Sequence, residues 1–426
     1  MKSWTKKLTA LLLTAGMSLS VAACNSPFRK SLTALPVSLP GCLTDQIQTD
    51  QPPKKQPDVQ FTGAQTAFAL ALLQKTAAKD SGRNLLLSPY SVMQALAMTL
   101  NGAAGKTRSD MEQVLGGISA QELNAYLHQY RTGQPQGSEA QMLSANSVWY
   151  AKQETAIPVS EEFLKTVSGC YGAEAYQCVF NESAADDMNK WIDAKTAHMI
   201  PNMIGEISPD TWMYLLNACV FDAKWQQKYE RGRITEREFH QADGSAKNVK
   251  MMFSDEKYFL KDTNARGFLK PYRGDRYAFA AILPDEDISV TDYVASLTPE
   301  RLQELLSQRT EAEVTAGLPK FSAEYGTDLR NALTEMGMGD AFDGGTADFS
   351  AMTAGGQKGL YISGVQHQTR IEVDETGTKA AVATSVSVCS AAPPDQYKVT
   401  LDRPFLYCIL DLETNLPVFI GILQSV

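Results

Sequence analysis

One large α+β domain is what this sequence predicts, and three observations carry the expectation. Apolar sets at helical spacing and apolar runs of strand character both recur from about residue 59 to the C-terminus. No internal repeat divides that stretch, and no change of composition after residue 60 marks a second domain. At 426 residues the chain is long enough to bury a large core.

Taken in order, Phe61, Ala64, Phe68, Leu72 and Leu73 recur as the buried face of a helix. A second helix opens at Ser88-Pro89, with Ser as the cap and Pro in the first turn. It buries Val92, Ala95, Leu96, Thr99 and Leu100 and stops at Asn101-Gly102. Met142 to Tyr150 reads as a strand, Glu161 to Val167 as a helix and Tyr176 to Phe180 as another strand. A helix is expected to start at Ser183, with Asp186 and Asp187 in its first turn and Met188, Trp191 and Ile192 on its inner face, and to end before Pro201. The run WMYLLNACVF, 212–221, is apolar on both faces, so it predicts a strand covered on both sides whose amide, Asn217, finds partners inside. Further strands are expected at Tyr277 to Leu283 and Glu313 to Leu318, with helices at Pro299 to Leu306 and Asp328 to Met336. Phe405 to Leu410 and Val418 to Leu423, around Glu413-Thr414-Asn415, form a buried hairpin.

The ends of the chain differ from its body. Lys2, Lys6 and Lys7 precede a short apolar run and then Val21-Ala22-Ala23-Cys24, the order of a cleaved signal. VAAC resembles a bacterial lipobox, which implies removal of residues 1–23 and acylation of Cys24; a plain secretory signal is the alternative. Residues 24–58 are rich in Pro, Gln, Ser and Thr and read as a lipidated N-terminus with an extended tether, leaving 59–426 as the folded domain. Such a chain is expected at a bacterial outer membrane, the cell surface or the periplasm, held by lipid rather than by a spanning helix. That address permits disulfides. Of the remaining cysteines, Cys170 and Cys178 are the close pair and the candidate bridge, while Cys219 and Cys408 sit in apolar runs as packing.

The composition excludes several functions. With 39 basic against 48 acidic residues and a net charge of -9, no basic face invites nucleic acid. GAAGKT at 102–107 resembles the end of a phosphate-binding loop, but the glycine such a loop needs at position 100 is Leu100. The four histidines, His128, His198, His240 and His367, accompany no HExxH, GxSxG or Cys-x-x-Cys motif, so no enzyme, metal or cofactor is called for. His367 lies between two strand-like runs and reads first as a core histidine.

One segment does not fit an ordinary core. In ETGTKAAVATSVSVCSAAPP, 375–394, Thr378, Ala380, Val382, Thr384, Val386 and Val388 make an uncharged alternating face. Lys379, Ala381, Ala383, Ser385, Ser387 and Cys389 make the other. It is written as a half-buried strand, yet it runs into two prolines that mark an exposed end. It is either an edge strand or a segment with one position outside the fold and another inside it.

From about residue 59 onward the chain resembles the serpins. The resemblance rests on NLLLSPYSV at 84–92, ALAM at 95–98 and GAAGKT at 102–107. It continues through MNKWI at 188–192, LNA at 216–218 with Trp225, LPKF at 318–321, IEVDETGTKAA at 371–381 and RPF at 403–405, all in the family's order. It implies three β-sheets, about nine helices and an exposed reactive loop that can enter the central sheet, a mechanism general to the family. The implied partner is a serine protease, trapped covalently by a monomeric suicide-substrate inhibitor. The implied hinge is Gly377, Thr378, Lys379, Ala380, Ala381, Val382, Ala383 and Thr384. Ser88, Ser91, Asn217 and His367 match the polar cluster beneath the opening sheet, and Glu375, Lys320 and Trp225 match its upper opening. Lys379 stands where the family usually has an acidic residue, and Val382 where it usually has alanine. The family's spacing from Glu375 puts the cleaved bond at Ala391-Ala392, with Ser390, Cys389 and Val388 as alternatives; counting back from Pro404 gives Pro393. A small residue there implies elastase-like or subtilisin-like proteases. Two other roles stay open: a non-inhibitory binding or chaperone-like serpin, and an inhibitor of papain-like cysteine proteases.

Overall fold

The structure is a computed structural model of the chain, and it describes residues 34–37, 39–45, 47–49, 52–135, 139–152, 158–207, 211, 213–378 and 396–426. The helices are α1 (Val59–Lys79), α2 (Pro89–Leu100), α3 (Gly105–Val114), α4 (Ala120–Thr132), α5 (Glu161–Tyr171), α6 (Glu182–Lys195), α7 (Val290–Ser296), α8 (Pro299–Ser307) and α9 (Arg330–Leu333). The strands are β1 (Leu85–Leu87), β2 (Ala140–Ala151), β3 (Glu174–Cys178), β4 (Met213–Lys224), β5 (Ile234–His240), β6 (Ala246–Asp262), β7 (Ala265–Pro271), β8 (Tyr277–Pro284), β9 (Thr310–Pro319), β10 (Phe321–Asp328), β11 (Gly364–Val373), β12 (Gly377–Thr378), β13 (Gln396–Thr400), β14 (Phe405–Asp411) and β15 (Leu416–Leu423).

Among the described residues the strands bond into two sheets. One has the order β10-β11-β12-β4-β2-β3; the other runs β1-β15-β14-β8-β7-β6-β9-β13, with β5 on β6. The strand groups that the resemblance divides into three sheets are joined as two because β6 is 17 residues long. Its first half pairs with β5 and its last residues pair with β7, so one strand serves both groups.

Burial follows the apolar pattern. All of α2 is buried between the sheets, and Ser88 caps it by accepting from the Ser91 amide, an interaction worth about 1 kcal/mol. β4 is covered on both faces, as its composition requires. Met213, Leu215, Cys219 and Phe221 join the main core, while Leu216, Ala218 and Val220 pack with Trp149, Trp191 and Ile192 under α6. The cap of α6 is Asn181, whose side chain accepts from the Ala184 amide, two residues before the expected Ser183. Cys170 and Cys178 are free thiols: one is buried on α5, the other lies on the sheet-edge strand β3.

The described residues of the expected tether, from 34 onward, dock onto the body instead of standing away from it. Cys42 bridges to Tyr176 on the edge strand β3, where Leu43 N donates to Ala175 O at 2.7 Å and Gln177 N to Gly41 O at 2.9 Å. A Cβ on Gly41 would come within 2.3 Å of Gln177 O, so the close approach needs glycine. Val37 and Leu39 pack on the smaller core, Leu43 and Ile47 on the larger. Averaged over the whole segment, composition hid these few apolar residues. Further along, Lys55 pairs with Glu122 at 3.1 Å, and Asp58 caps α1 while accepting from the Tyr126 hydroxyl.

Candidate functional site between β11 and β4

In the middle of the smaller sheet, β11 and β4 pair directly in parallel, Gly364 with Tyr214 through Arg370 with Val220. Above that point they part, and β12 lies between them. Val373 pairs with Thr378 on one side, and Lys224 and Ala223 pair with Gly377 and Thr378 on the other. Asp374 makes the turn that brings β12 back: its Oδ1 accepts from the Thr376 and Gly377 amides, and its own amide donates to Gly377 O at 3.0 Å. This is an Asx-type turn, which Asp and Gly at that spacing favour. A Cβ on Gly377 would meet Ala223 O at 2.2 Å, so only glycine passes between the strands there. Thr378 is fully buried, and its Oγ1 lies 2.6 Å from the Tyr272 hydroxyl.

Trp225 and its neighbours clasp this turn from outside. The indole Nε1 donates to Asp374 O at 2.8 Å, the Trp225 amide to Thr376 O at 3.1 Å and the Tyr229 amide to Glu375 O at 2.9 Å. Trp225 stacks on Tyr272 with ring centres 4.5 Å apart. Lys320 and Glu375 pair at 2.8 Å, which raises the Lys320 ammonium pKa and lowers that of the Glu375 carboxyl. Both side chains are about two-fifths exposed, 42% and 41%, so solvent screens most of that attraction.

The sealed middle is held differently. The Ser88 amide donates to His367 Nε2 at 3.1 Å, which leaves the imidazole proton on Nδ1, directed at Asn217 Oδ1 at 3.1 Å. Asn217 Nδ2 donates to Ser91 O and to Asn146 Oδ1, each at 2.8 Å, and also reaches Ser91 Oγ. Ser91 Oγ then meets Ser144 Oγ at 3.0 Å, and Ser144 donates to Gln94 Oε1 at 2.9 Å. Gln94 Nε2 ends the chain on the Tyr90 hydroxyl at 2.7 Å. Ser88 also donates to Val418 O of β15, tying the network to the other sheet. Burial pushes the His367 imidazole down to about 3, so the network is neutral throughout.

The structure therefore brings together Ser88, Ser91, Asn217 and His367 at one point and Glu375, Lys320 and Trp225 at another. Gly377 and Thr378 are in β12; Lys379, Ala380, Ala381, Val382, Ala383, Thr384, Ala391 and Ala392 lie outside the described residues, as does Cys24. Sequence reasoning missed Asp374, Tyr229 and Tyr272 in the clasp and Gln94, Ser144 and Asn146 in the network. The Asp-x-Thr-Gly spacing of a turn and an amide inside the strand-like LSANSVWY were the available signals. What the arrangement can do follows from the geometry. A slot already opened at one end, beside a sheet whose middle is closed by exchangeable neutral hydrogen bonds, can accept one more strand.

Comparison with known proteins finds relatives that span most of the chain. The family model described as "Serpin (serine protease inhibitor)" matches residues 63–425. Leukocyte elastase inhibitor A of Mus musculus is 28% identical over 379 residues, covering 85% of this chain and 98% of that protein. The crystal structure of the thermophilic serpin tengpin in its native state superposes with a TM-score of 0.85 at 38% identity, over 90% of this chain and 99% of that one. Against the same protein in its latent state the TM-score is 0.77, over 88% and 100%.

Proposed function

The chain belongs to the serpin family of serine protease inhibitors, and we propose that it is an irreversible suicide-substrate inhibitor of elastase-like or subtilisin-like proteases. A target protease attacks the loop at Ala391-Ala392 and forms an acyl-enzyme; the freed strand then enters the smaller sheet before hydrolysis completes, carrying the protease with it. The observation that carries this reading is Thr378, fully buried between β11 and β4 in the intact chain.

The register of Thr378 supports the rest of the strand's path. Carried onward, it sets Val382 against Thr369 and Cys219 and Val386 against Val365 and Leu215. Thr384 arrives between His367 and Asn217, which pair directly in the intact sheet. The partners Val365, Leu215 and Cys219 belong to the main core, so the uncharged loop face would join it. Each buried valine contributes about 1.5 kcal/mol or more and each new ladder hydrogen bond about 0.5–1.5 kcal/mol, a sum on the order of 10 kcal/mol. Lys379 falls on the other face, between Asp222 and Glu372. A basic residue suits that position although the family usually has an acidic one there. In the same reading, acylated Cys24 holds the mature chain at a membrane; loss of fatty-acid labelling in Cys24→Ala tests that part.

The test is incubation of the purified domain with elastase-like and subtilisin-like serine proteases. A complex that survives denaturing electrophoresis, with release of the peptide from Ala392 to Val426, is expected. Turnover of the loop with no complex would overturn the proposal and favour a binding role.

A further inference from the structure

Behind the clasp lies a buried charge pair. Lys270 of β7 and Glu256 of β6 are 2% and 7% exposed and meet at 2.7 Å, Nζ to Oε1. Ser254 Oγ donates to the same carboxylate oxygen at 2.6 Å. The Lys270 ammonium also faces two rings, Tyr229 at 4.2 Å from its centre and Trp225 at 5.4 Å. A buried ion pair of this kind is seldom more stabilising than two apolar side chains of the same size. Stability alone is thus a poor account of it. What distinguishes this pair is its neighbours: the two rings under the ammonium belong to the residues whose N–H groups hold Asp374, Glu375 and Thr376.

We propose that Lys270 and Glu256 are a positioning pair for the hinge. Glu256 fixes the ammonium, and the ammonium fixes the faces of Tyr229 and Trp225 by cation–π attraction. The two residues then hold the Asp374–Gly377 turn closed. The entering strand starts from a finished turn, so the entropy of closing it is spent before cleavage. The inference rests on the strand-insertion reading for its consequence, but not for its geometry.

Two measurements separate those parts. The first needs no protease: hydrogen exchange of the Thr376 and Gly377 amides in the full chain. The variant E256L/K270M removes both charges at similar volume, and its amides should exchange roughly tenfold faster while its Tm stays equal or rises. Lys270→Arg keeps the cation and should restore protection. If the double variant fails to fold, Tyr229→Leu, which removes the ring and leaves the pair, should show the same faster exchange. Unchanged exchange in the folded variants, or loss of protection in Lys270→Arg equal to that of the double variant, would overturn the positioning role. The second measurement uses a serine protease that the unmodified chain traps, and the ratio of cleaved to trapped inhibitor should rise roughly fivefold in E256L/K270M. An unchanged ratio would overturn the link to insertion. A chain that traps no protease at all would refute the insertion reading while leaving the exchange result to judge the pair.

Discussion

At the upper end of the smaller sheet, β11 and β4 are already parted by Gly377 and Thr378, whereas lower down the same two strands are joined through His367 and Asn217. The two regions differ in more than separation. The outer pair of the upper clasp, Lys320 and Glu375, is two-fifths exposed and screened by water. In the middle, Ser88, Ser91, Asn217 and His367 are all at most 1% exposed, and each has a partner that it must exchange if a strand passes. Leaving one such group unsatisfied costs about 1–3 kcal/mol. If the proposed insertion operates, the contrast says where it would begin and where it would be resisted: the turn is made in advance at the top, and the barrier would lie in the middle.

The most severe way to break the contrast is to block its open end. Thr378→Arg would force a guanidinium into a fully buried position beside Tyr272 at a cost of several kcal/mol, so trapping should fall by a factor of ~100 or more while loop cleavage continues. The fraction of protease held on a denaturing gel measures it; undiminished trapping would show that entry does not start at Thr378.

The next largest effect is on the closed region and comes from pH. Burial lowers the folded-state pKa of His367 to about 3, from an ordinary value of 6.5. Below about pH 6.5 the unfolded chain binds a proton that the folded chain refuses. Stability should therefore be complete above that pH and fall as pH drops toward 3, by up to about 1.4 kcal/mol per pH unit from this group. Denaturant unfolding across that range should show a shallower slope in His367→Gln.

A smaller change in the same network is Asn217→Ala, which strips partners from His367, Ser91 and Asn146 at once. It should cost about 1–3 kcal/mol of native stability and shorten the half-life of inhibitory activity on warming. The smallest effect is expected back at the top. Lys320→Ala removes an exposed pair worth at most about 1 kcal/mol, and thermal melting and trapping should change little. If Lys320→Ala proved as damaging as Asn217→Ala, the assignment of the barrier to the middle would have to be reversed.

Most of the fold was legible because its central elements are strongly apolar. The run at 212–221 declared β4, Ser88-Pro89 declared α2, and the C-terminal runs declared β14 and β15. The strands β5 and β6 were not found, since Glu236, Arg237, Glu238, Lys247 and Lys250 leave only alternate, weak apolar signals on strands with one exposed face. The site was readable residue by residue only through the family motifs. Its turn was readable in principle from Asp374 and Gly377. The buried pair Lys270–Glu256 was not, because nothing in the sequence of two charged residues on different strands says that they meet.

The most direct test of the central claim compares thermal unfolding of the intact chain with that of the chain cut in its loop. The account predicts that the cut protein, its strand now between β11 and β4, melts at least ~10 °C higher. Equal melting temperatures before and after cutting would contradict it.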